Sequence, residues 1–332
     1  MSLPDADVFD HPYLKRDICP CCGTPASEAK PAVASTPPAE ELPFDRHSRF
    51  AAGYDTDRVF FSYYECPRCS LRFCRSFYTQ DQLEHLYGHQ QENMGEVPLE
   101  ARRAAQESYA KVLLKHTSGH GGFLEIGPDI GLFAKYCADN WPFNHFWLYE
   151  PNREVVDELK AAVAGHEHDV LFTMWPTDDV ADGSVSAMAL IHVLDHLLEP
   201  VEFLDQLWAK LEPGGTILTV THNCASPLAR LLGKRFPPHA LQHPQLYSPT
   251  SITNAFEKAG FEVLEISAAV NYFPIMHLVR AGFVLLGLPK PLTGAMGPIL
   301  PIKLGNIATV ARKPSVPDLI CSPDMPKESA EK

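Results

Sequence analysis

Phe123-Leu-Glu125-Ile-Gly127-Pro-Asp129-Ile-Gly131 is the stretch whose reading decides the fold. An apolar run from Gly122 to Ile126 carries a single acid, then breaks into a turn bearing Gly127 and Gly131. A helical pattern follows from Ile130 to Ala138. Strand, glycine turn and helix in that order open a βαβ unit. Glycine allows positive φ and close backbone approach, so a ligand can rest against the turn. The helix start adds unpaired N–H groups. By itself such a turn also fits a glycine-rich bend in any α/β protein.

Downstream the alternation continues. Strands are expected over Asn144–Tyr149, Val185–His192, Thr216–Thr221, Phe261–Ser267 and Asn306–Ala311. Helices are expected over Arg153–Ala164, Pro200–Leu211, Pro249–Ala259 and Ile275–Leu288. Strands alternating with helices imply a parallel sheet. Two signatures stand in register with the turn. Leu148-Tyr-Glu150-Pro closes the second strand with an acid placed to accept from two ribose hydroxyls. Val193-Leu-Asp195-His196-Leu197 follows the buried strand Val185–His192, and Leu211-Glu-Pro213-Gly214-Gly215 precedes the next.

Across roughly residues 115–265 this series resembles the class I S-adenosylmethionine (SAM)-dependent methyltransferases. Glu257-Lys-Ala-Gly260-Phe-Glu-Val263 repeats a further segment frequent there. The resemblance implies an α/β fold with a Rossmann-like, seven-stranded methyltransferase sheet. It also implies that Glu125 and the backbone of Gly127 and Gly131 hold the methionyl end of SAM, and that Glu150 holds the ribose. Met174 and Trp175 would lie near the adenine, and His192 would border the same cofactor site. Asp129 stands where the middle glycine usually lies, and Ser186 where an aspartate is common. The dinucleotide fingerprint G-x-G-x-x-G is absent.

Upstream, Cys19-x-x-Cys22 and Cys66-x-x-Cys69 form two knuckles that together can hold one tetrahedral ion. Cys21 and Cys74 are competing thiols. Four thiolates leave no open position, so a zinc ion there would be structural. Such an ion lets a small module fold around little core. The expected organisation is a zinc-ribbon-like module over 1–79 containing a flexible Pro/Ala-rich insertion at 25–43. A helical connector follows at 80–118, then a SAM-dependent methyltransferase domain at 119–313 and a disordered tail at 314–332. An acceptor-side insertion, 226–248, interrupts the domain. N-terminal four-cysteine modules of this kind resemble those of methyltransferases in sugar, polysaccharide and secondary biosynthesis, so a small-molecule or sugar-type acceptor is expected.

Methyl transfer is a displacement that needs an aligned acceptor, and a base where the acceptor proton is held tightly. His196, after the fourth strand, and His243, in the insertion, are the favoured catalytic candidates. His222 closes the fifth strand. Net charge −13 makes nucleic acid an unlikely partner. Residues 1–100 hold nine Lys and Arg against sixteen Asp and Glu, which counts against a zinc-ribbon rRNA methyltransferase. A degenerate, non-catalytic binding module is the other alternative, supported only by Asp129. The N-terminus shows no secretory pattern and nine cysteines suit a reducing compartment, so a cytoplasmic location is expected. Ile275–Leu288 is too short to span a bilayer, but could meet a lipid-linked acceptor or a membrane surface.

Overall fold

The computed structural model describes residues 12–47, 50, 58–88, 97–173, 178–288 and 296–315. The N-terminal part holds five short strands: β1 Leu14–Lys15, β2 Lys30–Val33, β3 Tyr63–Glu65, β4 Arg72–Cys74 and β5 Ser76–Phe77. Helices α1 (Gln80–Gly88) and α2 (Leu99–Leu114) lead out of it. The alternating region follows as β6 Gly122–Ile126, α3 Leu132–Asn140, β7 Phe146–Tyr149, α4 Val156–Ala162 and β8 His168–Leu171. It continues as β9 Val185–Ile191, α5 Pro200–Lys210, β10 Leu211–His222, α6 Pro227–Leu232, β11 Gln245–Leu246 and α7 Pro249–Lys258. The last elements are β12 Glu262–Ala268, β13 Asn271–Pro274, α8 Ile275–Leu285, β14 Ile299–Ile302 and β15 Asn306–Arg312.

Seven strands, the number the resemblance implies, form the main sheet, in the order β12-β15-β10-β9-β6-β7-β8. From β8 to β10 neighbouring strands are parallel, but β15 runs antiparallel to both β10 and β12. The wholly parallel sheet inferred from alternation is thus corrected. The chain leaves β12 and re-enters β15 at one end of the sheet, with Ala269 N donating to Asn306 O at 3.0 Å. No crossover carries it to the other end, so the return strand must be antiparallel. Strand β8 has no strong sequence signal, because His168-Asp-Val-Leu is a half-exposed edge strand.

Strands β6 and β9 are buried along their whole length. Leu124, Ile126, Met188 and Leu190 face Phe203, Leu204 and Leu207 of α5 and Ile252 and Phe256 of α7. Phe123, Ala187 and Ala189 face the other layer, with Tyr109 and Leu113 of α2 and Phe133 of α3. The period-two alternation of a strand makes this two-sided core. Each fully buried Leu or Phe contributes about 1.5–3 kcal/mol.

The N-terminal part does not stand apart. Its sheet has the order β11-β4-β3-β2, so a strand of the acceptor-side insertion completes it. Leu71 and Phe73 share one apolar cluster with Tyr247, Ile252 and Phe256. The Pro/Ala-rich stretch, expected as a flexible excursion, is packed. It supplies β2, which pairs with β3, and Ala39 is fully buried. Backbone pairing to a strand edge requires no large apolar side chains, so composition did not announce it. No helix among the described residues is long and apolar enough to cross a membrane.

Candidate active site

The turn after β6 takes a left-handed backbone three times, at Gly127 (φ 68°), Asp129 (φ 52°) and Gly131 (φ 75°). Asp tolerates this region better than most residues, which is why it can replace the middle glycine. Its carboxylate also lies 3.6 Å from Arg102 of α2. A Cβ on Gly131 would come within 2.8 Å of the Ala162 side chain, so that position requires glycine. Glu150, at the end of β7, accepts from the backbone N–H groups of Asp129 (3.1 Å) and Asn152 (2.9 Å). Burial raises its carboxyl above the ordinary value.

Glu125 is almost wholly buried in β6, and its Oε2 atom has no hydrogen-bond partner. Burial pushes this carboxyl well up, helped by the nearby Glu150 and Asp129. An orphaned buried acceptor beside a glycine turn suits a cationic amine, so the donor set fits the methionyl end of SAM. Met174 and Trp175, expected near the adenine, lie outside the described residues.

At the carboxyl ends of β9 and β10 the structure brings four histidines together. Ring centroids are 4.7 Å apart for His192 and His222, 4.7 Å for His222 and His243, and 4.6 Å for His196 and His243. Asp195 is fully buried beneath them, and its Oδ2 accepts from both the Nδ1 and the backbone N–H of His222. Burial alone would raise the Asp195 carboxyl, but the adjacent His222, with His196 and His243, holds it well below its usual range.

The other imidazoles are held differently. His243 Nδ1 donates to Pro238 O at 2.7 Å, and its Nε2 accepts from Gln242. His196 Nδ1 shares a 2.8 Å hydrogen bond with the Tyr87 hydroxyl. His192 has a left-handed backbone (φ 55°), and Asn306 Nδ2 donates to its Nε2 at 3.4 Å. Burial lowers all three below the ordinary imidazole value, His192 to about 3. Only His222 combines a carboxylate on Nδ1 with an Nε2 that has no partner among the described residues. Sequence reading ranked His222 below His196 and His243 and missed Tyr87 and Asn306. The Asp195–His222 pairing spans 27 residues, so no local pattern reveals it.

In the N-terminal part, the ligand atoms of Cys19, Cys22, Cys66 and Cys69 all lie within 4.8 Å of one another. Cys19 and Cys69 sulfurs are 3.7 Å apart, and those of Cys22 and Cys66 3.5 Å. Four sulfurs around one zinc at about 2.3 Å stand roughly 3.8 Å apart, so the quartet fits the ion. Cys21 is excluded from it, because its thiol donates to Ser251 O of α7 at 3.3 Å.

A seven-stranded sheet with a glycine turn, an acid closing the next strand and a histidine cluster at the ends of β9 and β10 defines a nucleotide-cofactor α/β enzyme. The methyltransferase domain family matches residues 99–266, half of the chain, and the chain belongs to that family. The protein is a SAM-dependent methyltransferase. No curated protein matches the chain. Among similar solved structures is a complex between the Haloferax volcanii Trm112 methyltransferase activator and a methyltransferase. It shows 16% identity and a TM-score of 0.47, covering 64% of this chain and 94% of that one. Another is Burkholderia thailandensis 1,6-didemethyltoxoflavin-N1-methyltransferase, solved with 1,6-didemethyltoxoflavin and S-adenosylhomocysteine. There identity is 13% and the TM-score 0.44, covering 64% and 80%. A SAM-dependent methyltransferase from Aquifex aeolicus gives 14% and 0.42, covering 64% and 92%.

Proposed function

We propose that the enzyme methylates an uncharged hydroxyl on a small molecule or glycan precursor, with His222 as general base. The hydrogen bond from His222 Nδ1 to buried Asp195 carries this reading. It leaves Nε2 as the ring nitrogen not bonded to Asp195, at the end of β10 where ligands of open α/β sheets bind. When bound, SAM supplies an activated methyl on a sulfonium. His222 Nε2 takes the acceptor proton, and Asp195 stabilises the imidazolium that results. An amine with a free lone pair has no need of such a dyad. An anionic acceptor would meet the Asp195 carboxylate, and no Lys or Arg bonds to the four imidazoles among the described residues.

In this reading Glu125, Gly127, Asp129, Gly131, Glu150 and His192 line the cofactor side. His196 and His243 orient the acceptor, because their Nδ1 atoms are already engaged. Cys19, Cys22, Cys66 and Cys69 hold a structural zinc, which closes the knuckles against α7. The acidic N-terminal part disfavours an RNA acceptor.

The test is methyl transfer from labelled SAM to a panel of sugar nucleotides, alcohols, phenols, amines and carboxylic acids. Methylation of a hydroxyl that collapses in His222→Ala supports the proposal. Exclusive methylation of amines or carboxylates refutes the hydroxyl assignment. Calorimetry with S-adenosylhomocysteine separates the cofactor from the acceptor, since no binding would point to a degenerate module.

A further inference from the structure

The segment between β12 and β15 is chemically unlike the rest of the chain. From Ile266 to Pro317 there is no Asp or Glu, in a protein of net charge −13. Within residues 269–305 the charged side chains are Arg280, Lys290 and Lys303, all cations. This segment contains helix α8 and the hairpin of β13 with β14, which is separate from the main sheet.

Helix α8 turns its apolar face outward. Ile275 (42% exposed), Val279 (38%), Phe283 (36%) and Leu286 (66%) recur at spacings of four, four and three, and so share one face. Leu288, just beyond, is 48% exposed. On the opposite side only Ala281 and Val284 are buried. Ordinary amphipathic helices place charged residues on the water side. Here Arg280 folds back to Met296 instead, with Nη1 3.6 Å from its sulfur.

The position of the segment is as telling as its composition. β12 and β10 are both antiparallel to β15, with Ala268 opposite Ile307 and His222 opposite Asn306. The segment therefore leaves and rejoins the sheet at the end that carries His222. Asn306, where it rejoins, donates to His192, and Asn223 N donates to Gly305 O at 2.7 Å.

We infer that α8 and the β13–β14 pair dock this enzyme on an anionic lipid surface. An outward apolar face on a segment bearing only cations matches both parts of such a surface, the acyl boundary and the negative headgroups. The remainder of the chain is acidic and is repelled, which fixes the orientation. This docking concerns location and is independent of which acceptor atom is methylated.

The experiment is flotation of the full-length protein with vesicles of phosphatidylcholine alone or containing phosphatidylglycerol. The protein should float with the anionic vesicles, bind the neutral ones several-fold less, and be released by high salt. The double substitution Val279→Asp and Phe283→Asp should cut anionic-vesicle partition on the order of a hundredfold. Its circular dichroism melt and its affinity for S-adenosylhomocysteine should match the parent, showing that folding and cofactor binding survive. If the parent stays soluble with both vesicle types, or the double variant floats equally well, the inference is wrong. A parent that ignores vesicles but is a dimer broken by the same substitutions would show that the face joins two copies, which also overturns it.

Discussion

Tyr63 of β3 donates its hydroxyl proton to the backbone oxygen of His243 at 2.6 Å. This bond ties the N-terminal sheet to the loop that brings His243 into the histidine cluster. Arg16 does the same from β1's flank, donating to Leu198 O at 2.6 Å and to Gln245 Oε1 at 3.2 Å. Gln245 in turn donates to Leu194 O and Leu197 O, on either side of Asp195 and His196. The N-terminal part braces the segments that carry the histidine cluster and is not a tethered accessory.

Tyr63→Phe should therefore destabilise the protein by about 1–2 kcal/mol, the cost of leaving a buried carbonyl unpaired. Acceptor KM should rise while affinity for S-adenosylhomocysteine stays unchanged. Thermal melts with calorimetry check both, and a change confined to cofactor affinity would contradict the assignment.

His222→Ala and Asp195→Asn should each lower turnover by about 10²–10⁴. Asp195→Asn preserves the shape but removes the charge that stabilises the imidazolium. Cofactor affinity should be near that of the parent in His222→Ala. Steady-state kinetics at saturating SAM measure the loss, and equal turnover in the parent and His222→Ala would remove the dyad from the mechanism.

Glu150→Ala should weaken SAM binding by about 10–100-fold, the value of one or two hydrogen bonds to a charged acceptor. Glu125→Ala should act in the same direction. Isothermal titration reads both, and unchanged dissociation constants would place the cofactor elsewhere.

The purified protein should contain one zinc per chain by elemental analysis. Cys66→Ser should lose the metal and lower Tm by at least about 5 °C. A metal-free protein with an unchanged melt would leave the four thiols without that role.

Acidification through the range of the unfolded histidines should destabilise the fold through His239 and His243. Burial, reinforced by Arg72 and Arg58, depresses His239 to about 3, and burial with His196 and His222 holds His243 well below its ordinary value. In the unfolded chain both titrate near about 6.5. Between that pH and the folded values the unfolded state binds more protons, so stability falls as pH falls. The slope is up to about 1.4 kcal/mol per pH unit for each histidine. Melts from pH 8 to 5 should show the decline, and His239→Phe, which keeps a ring against Phe60 at 5.5 Å, should make it shallower. A flat profile down to pH 5 would contradict it.

Local chemistry made much of the molecule legible from sequence. The turn at Gly127 and Gly131, the acid Glu150 and the strands β6, β9 and β10 are written in short patterns. Backbone permissiveness and apolar periodicity act over a few residues, and a single acid at a strand end needs no distant partner to be recognised. The two cysteine pairs were readable for the same reason, because a chelating knuckle is local. Asp129 was ambiguous in sequence, and its left-handed φ with Arg102 nearby shows how the turn accommodates it.

Other features depend on residues far apart in the chain, where neither periodicity nor spacing carries information. The antiparallel sense of β15 follows from where its connection starts and ends. Strand β11 completes the N-terminal sheet across more than a hundred residues of chain, so no local signal marks it. The choice among histidines was decided by burial and pairing. His196 and His243 carry the same side chain as His222, and only tertiary packing gives one of them a buried carboxylate. Sequence alone determined the class of enzyme. Tertiary structure decided which imidazole pairs with a buried acid, because that hydrogen bond forms only once the sheet has brought the ends of β9 and β10 together.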